Sequence, residues 1–167
     1  LPVAAMIGSK FFFVHGGLSP EVMAVEDVMH MYRFREAPTS GAMCDLLWSD
    51  PHWDVNNPAS LDTPSSSFYA PTTGSYEMQP SFTPNEQRGC SYIFNFAALK
   101  HFVSENKLLC VVRAHEAQPE GYCLYRAHPN TSFPCMLSIF SAPNYCDTFG
   151  NKGAIALVGD GQIKIKQ

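Results

Sequence analysis

No run of apolar residues in the 167-residue chain approaches the roughly 20 that a bilayer crossing needs. The opening LPVAAMIGSK has no basic n-region and no cleavage signature, so it does not read as a secretory leader. Charge is scarce: Asp, Glu, Lys and Arg make up 16% of the residues, with a net charge of −4. An acidic balance leaves no basic footprint and argues against nucleic acid as a partner. Cysteine occurs six times but never as C-x-x-C, which argues against a zinc knuckle. Most of the six lie in apolar runs such as LLCVV and PCMLSIF, where a thiol acts as a small hydrophobe. Free thiols in a reducing, cytoplasmic setting are therefore expected, with no membrane and no nucleic acid as partner. No internal repeat is present.

What remains is a chain of one-domain length that is 46% hydrophobic, enough to bury a real core. VAAMI and FFFVHGG, separated by Gly8-Ser9-Lys10, read as a β-hairpin. Ser19-Pro20 supplies an N-cap and an N1 proline for a helix through EVMAVEDVMHMYRF. A second helix is predicted in NFAALKHFVSEN, where Phe96, Leu99, Phe102 and Val103 share a face and Asn95 can cap. Strands are expected at LLCVVRA, GYCLYRA, CMLSIFSA and AIALV, with Asp160-Gly161 turning into QIKIK. Helices early and hairpins late predict a mixed, layered α/β domain. More than half of residues 55–87 are Ser, Thr, Pro or Asn with no sustained periodicity, so they read as a polar loop insert within one domain.

Three of these strands end in a polar turn, at His15-Gly16-Gly17, at His115-Glu116 and at Ser141 to Tyr145. Layered α/β proteins carry their chemistry on such loops, because the sheet holds them rigidly. His15 and His115 are either two satisfied core or capping histidines or two halves of one metal site, for which imidazole suits Zn, Fe or Mn. Gly16-Gly17 is either a plain turn or room for the chain to pass close to a metal or anion. Arg88, in QRGCSY, is either a surface ion-pair partner or a bidentate phosphate ligand. Asp45 and Asp50 flank a Leu-Leu-Trp core segment, and Asp50 before Pro51 forms a turn by default. Tyr145 presents a phenol to a site or anchors its loop. His30, His52, His101 and His128 lack the strand-end context, and His101 and His128 read as solvated groups.

Together HGGLSPE, MCDLLWSDP, RGCSY, RAHEAQ and FSAPNYCD resemble, in order and rough spacing, the PPP-type serine/threonine protein phosphatases. RGCSY, RAHEAQ and the FREAP to WSDP passage are most similar to the calcineurin (protein phosphatase 2B) branch. The resemblance implies a calcineurin-like metallophosphoesterase fold, a layered β-sandwich flanked by helices. It also implies hydrolysis of phosphoserine and phosphothreonine by a hydroxide bound to two metal ions (Fe/Zn or Mn), with phosphoproteins as substrates. His15 and His115 match metal ligands, Arg88 and Tyr145 match residues that bind the substrate phosphate, and Asp50 matches an acid near the catalytic centre. The family's GDxHG, GDxVDRG and GNHE signatures carry the remaining ligands and the general acid, and they do not occur among the 167 residues. The chain therefore matches about the C-terminal half of such a catalytic domain and is expected to be inactive alone. A non-catalytic binding module or decoy is the alternative. A calcineurin B-like subunit and calmodulin are the regulatory partners that the resemblance implies for a full-length protein. Cys146 after SAPNY follows the type 1 and 2A branches instead of calcineurin.

Overall fold

The computed structural model describes residues 1–52, 55, 79–127, 132–159 and 162–167. The expected hairpin forms: β1 (Ala4–Ile7) pairs antiparallel with β2 (Phe11–Val14), and the turn places Gly8 and Ser9 at positive φ. β2 then pairs in parallel with β6 (Cys110–Arg113), and β6 in parallel with β8 (Met136–Ile139). β7 (Tyr122–Leu124) closes the far edge antiparallel to β8, giving the order β1-β2-β6-β8-β7. Parallel strands are buried on both faces, which is why β6 is apolar through Cys110, Val111 and Val112 before it reaches Arg113.

One face of this sheet, through Phe12, Val111 and Met136, packs on α3 (Phe96–Glu105). The Phe12 and Phe102 rings lie 5.4 Å apart there. Asn95 caps α3 as predicted, accepting from the Ala98 N–H at 2.9 Å, and also accepts from Ser81 N at 3.0 Å. The other face, through Val112 and Leu137, takes Ile163 and Ile165 of the hairpin formed by β9 (Ile155–Gly159) and β10 (Gln162–Lys166). The result is the predicted layered α/β sandwich. The Asp160-Gly161 turn lies outside the described residues.

Two local expectations change. The helix predicted through residues 21–34 is only α1 (Val25–Met29). Asp27 Oδ2 accepts the Met23 and Ala24 N–H groups, and Asn106 Oδ1 accepts that of Val25, so side chains start the helix late. Met29 at its end and Tyr32 and Phe34 beyond it are exposed, leaving little buried face to extend it. Ser19 does not cap that helix; its hydroxyl donates to buried Asp45 at 2.7 Å and accepts from Glu21 N.

A helix that was not predicted, α2 (Ala42–Trp48), carries the Leu-Leu-Trp segment and feeds β3 (Asp50–Pro51). β3 joins β5 (Tyr92–Phe94) and β4 (Phe82–Pro84) in a second, three-stranded sheet. β4 and the fully buried Val55 thus bring the two ends of the polar segment into the body, and residues 56–78 lie outside the described residues. All six cysteines are free thiols; Cys44, Cys110 and Cys135 are buried and Cys146 is exposed. Among the described residues no helix is long and apolar enough to cross a membrane.

Candidate active site

The parallel pairing of β2 with β6 decides the first relationship in the site. Phe13 lies opposite Val112, and Ala114 N continues the ladder to the His15 carbonyl at 3.0 Å. Both strands therefore end together and deliver His15 and His115 side by side, at the carboxyl ends where α/β sheets bind ligands. His15 Nε2 stands 3.2 Å from His115 Nδ1. His115 has φ +67°, a left-handed conformation costly for a side chain bearing a Cβ. Trp48, the last residue of α2, meets the His115 ring edge-to-face with centroids 5.3 Å apart.

Gly16 and Gly17 do leave room, but the room is filled by protein. A Cβ on Gly16 would lie 2.6 Å from the backbone of Leu47 and Trp48, and one on Gly17 would strike the Phe94 ring. Gly16 N also donates to the Leu46 carbonyl at 2.8 Å. The glycines thus let α2 close on the loop after β2, which brings β3 and Asp50 towards the histidines.

Asp50 is the electrostatic centre. Its Oδ2 accepts from Arg88 Nε at 2.9 Å and Asn85 Nδ2 at 3.0 Å, and its Oδ1 accepts from Arg113 Nη2 at 3.0 Å and Arg88 Nη2 at 3.4 Å. Burial alone would raise this carboxyl. Hydrogen bonds from Arg88 and Asn85, with the charges of both arginines, outweigh burial and hold it below the ordinary carboxylate range. Arg88 is partly exposed and, among the described residues, has N–H groups that Asp50 does not take up, so an ion pair and a phosphate ligand are compatible roles for it. Its backbone sits in a turn whose N–H groups, from Arg88 and Gly89, donate to the Asn85 carbonyl.

Both imidazoles are pushed towards the neutral form. For His15 burial is the largest cause, followed by Arg113 and Arg88. For His115 burial and Arg88 carry it down to about 4, against an opposing pull from Asp50. Among the described residues its buried Nε2 has no hydrogen-bond partner, and it lies 4.0 Å from Asp50 Oδ1.

A neutral pair of facing nitrogens is what a metal needs. Ligands about 2.0–2.1 Å from one ion stand about 2.9–3.4 Å apart, depending on the angle between them. The observed 3.2 Å fits two ligands of a single ion. Among the described residues no group of three or more metal-binding side chains gathers, so this pair is a partial ligand set.

The structure thus brings His15, His115, Asp50 and Arg88 into one cluster. Tyr145 follows β8, which runs parallel to β6, so its loop leaves from the same end of the sheet. The ring is half exposed and packs on Phe140 and Phe149, and no described contact joins it to the cluster. Buried Asn151 pins this loop, accepting from Tyr145 N at 2.9 Å and donating to the Ala142 carbonyl at 2.8 Å. Of the remaining histidines, His101 is exposed and His128 lies outside the described residues.

Two members of the site were not expected. Arg113 is wholly buried and donates to the Gly16 carbonyl, to Glu116 Oε2 at 2.5 Å and to Asp50. Its signal was an arginine inside an apolar strand, a place where a charge must be paired. Asn85 carried a weaker one, three residues ahead of Arg88 in a turn-like stretch.

The sequence model described as Calcineurin-like phosphoesterase matches residues 1–119. The protein described as serine/threonine-protein phosphatase 2B catalytic subunit A1 of Saccharomyces cerevisiae is 42% identical over the whole chain, which covers 28% of that protein. Subunit A2 of the same yeast is also 42% identical, with 29% of it covered. Serine/threonine-protein phosphatase 5 of Solanum lycopersicum is 38% identical over 92% of the chain and is 22% covered. The chain therefore spans less than a third of the length of these relatives. A solved yeast structure, described as a protein serine/threonine phosphatase with similarity to human phosphatase PP5, superposes with a TM-score of 0.69 at 24% identity. It covers 99% of this chain and 46% of that one, a likeness of fold. Strand ends, paired histidines and family match agree, and the chain belongs to the calcineurin-like phosphoesterase family.

Proposed function

We propose that this chain carries the phosphate-binding arginine and one histidine pair of a serine/threonine phosphoprotein phosphatase site. The observation that supports the reading most directly is the facing of His15 Nε2 and His115 Nδ1 beside the Asp50–Arg88 pair. The names of the relatives point the same way.

In this reading His15 and His115 hold one metal ion of an Fe/Zn or Mn pair, the other ligands coming from outside these two residues. Bound metal supplies a hydroxide nucleophile at neutral pH and polarises the phosphate. Arg88 offsets negative charge on the phosphoryl oxygens with the N–H groups that Asp50 leaves free. Asp50 holds that guanidinium in place through its Nε and Nη2. Tyr145 lines the phosphate position from its pinned loop.

With two histidines as its described ligand set, the polypeptide of 167 residues binds metal weakly and turns over no appreciable phosphopeptide. The test is the purified chain with Mn²⁺ and a phosphothreonine peptide. Weak metal binding lost in His15→Ala and His115→Ala supports the assignment; turnover at the rate of an intact phosphatase would sink the expected inactivity, and metal binding indifferent to both variants would sink the site. The partial ligand set also favours a second reading, a phosphopeptide-binding module without catalysis, which the same samples distinguish by peptide binding without phosphate release.

A further inference from the structure

We propose that Arg113 is the positioning residue of this site, a single buried anchor that sets the orientation of Arg88 through Asp50 and of the His15 loop through Gly16. The proposal rests on the reading of Arg88 as a phosphate ligand and His15 as a metal ligand.

The Arg113 side chain has no solvent exposure, so its charge persists only because its donors are met. All the described acceptors lie on the three segments that form the site. Nε donates to the Gly16 carbonyl, next to His15 on the loop after β2. Nη2 donates to Asp50 Oδ1 at 3.0 Å and approaches the Ser49 carbonyl at 3.4 Å, where α2 passes into β3. Nη1 donates to Glu116 Oε2, next to His115 on the loop after β6.

A residue that served only to fill the sheet would be replaced without loss by an apolar one, since buried ion pairs are weak evidence for stability. Here the planar fork matches three loops at once. Lysine, a point charge on a flexible stem, could pair with Asp50 but could not reproduce the bridge. Asp50 in turn uses both oxygens on Arg88, so a rotation of its carboxylate would release the guanidinium that meets phosphate.

The test compares Arg113→Lys with the parent chain by nitrogen-15 NMR of the arginine Nε–H groups, with inorganic phosphate as the probe. The variant should keep the amide pattern of α3 and of the β9–β10 hairpin. The Arg88 Nε–H should exchange with water about tenfold faster, and phosphate affinity should fall by a similar factor, as is usual for partners behind a binding group. A structural arginine would lower the melting temperature and leave Arg88 exchange unmoved, and that result overturns the proposal. If the parent binds no phosphate, the reading of Arg88 fails, while the exchange comparison still decides the role of Arg113. Should the lysine variant not fold, Glu116→Gln loosens the fork from its half-exposed end; faster Arg88 exchange supports the proposal and unchanged exchange overturns it.

Discussion

His15 Nε2 lies 3.2 Å from His115 Nδ1 although 100 residues separate them, and no carboxylate stands between. Two neutral nitrogens at that distance share one proton or one cation. The choice sets the first prediction. Adding Co²⁺ to the chain should shift the ring resonances of both histidines together, and His15→Ala should abolish the response of His115. Independent responses would show that the two rings do not share an ion.

Lowered histidine pKa values make stability depend on pH in a defined direction. The folded value of His115, about 4, lies below its ordinary value of 6.5, so between them the unfolded chain binds more protons. Stability is complete above 6.5 and falls as the pH drops towards 4. Asp50 acts below that window, because its depressed carboxyl is protonated only beneath its ordinary 3.8. Melting temperatures measured from pH 7.5 to 4.5 should decline, and His115→Asn should flatten the decline. A His115 ring titrating at 6.5 by NMR would contradict this account.

The two arginines on Asp50 should differ in their weight for folding. Asp50→Ala leaves the fully buried Arg113 charge with the part-exposed Glu116 as its carboxylate partner and should destabilise by about 3 kcal/mol in urea unfolding. Arg88→Ala removes a partly exposed partner and should cost under about 1 kcal/mol. Equal losses would mean that Arg113 finds water or another acceptor.

Gly16→Ala tests the close passage of α2. Its Cβ would fall 2.6 Å from backbone atoms that cannot rotate away, and a loss of about 2 kcal/mol is expected, typical of overpacking. Gly8→Ala meets no atom within 4 Å and carries only the strain of φ +57°, about 1 kcal/mol. Thermal melts of the two variants should rank in that order.

Thiol chemistry should separate the cysteines. Burial, aided by the neighbouring Cys90, pushes Cys44 up to about 11, while burial pushes Cys110 to about 12 and Cys135 to about 11. Thiolates are the reactive form, so these three should resist iodoacetamide at pH 8 until the chain unfolds. Exposed Cys146 should be alkylated in the native state, as peptide mass spectrometry would show. Native labelling of Cys110 would require the sheet to open.

Much of the site was legible because its groups sit where strands end. His15 and His115 each follow a hydrophobic run, and a run that stops on a polar group marks the sheet's rim. Arg88 and Asp50 were legible as charged residues in turns, though not as partners of one another, because the turn that carries Arg88 and the strand that carries Asp50 meet only when β3 pairs with β5. Asn85 and Arg113 were missed for the same reason: their roles are hydrogen bonds to segments distant in sequence. The long helix predicted after Ser19-Pro20 failed because Asp27 and Asn106 take up the backbone donors that would have begun it.

By itself the sequence determined the strand and helix periodicities, the capping of α3 by Asn95, the free thiols and the resemblance of its motifs. These follow from local propensities and from residue types, which act within a few positions. Only the tertiary structure decided that β2 and β6 lie side by side in parallel, that Gly16 admits α2, and that one carboxylate binds two arginines. Each of these depends on contacts across many tens of residues, where burial makes an unpaired charge costly and only one packing pairs them all.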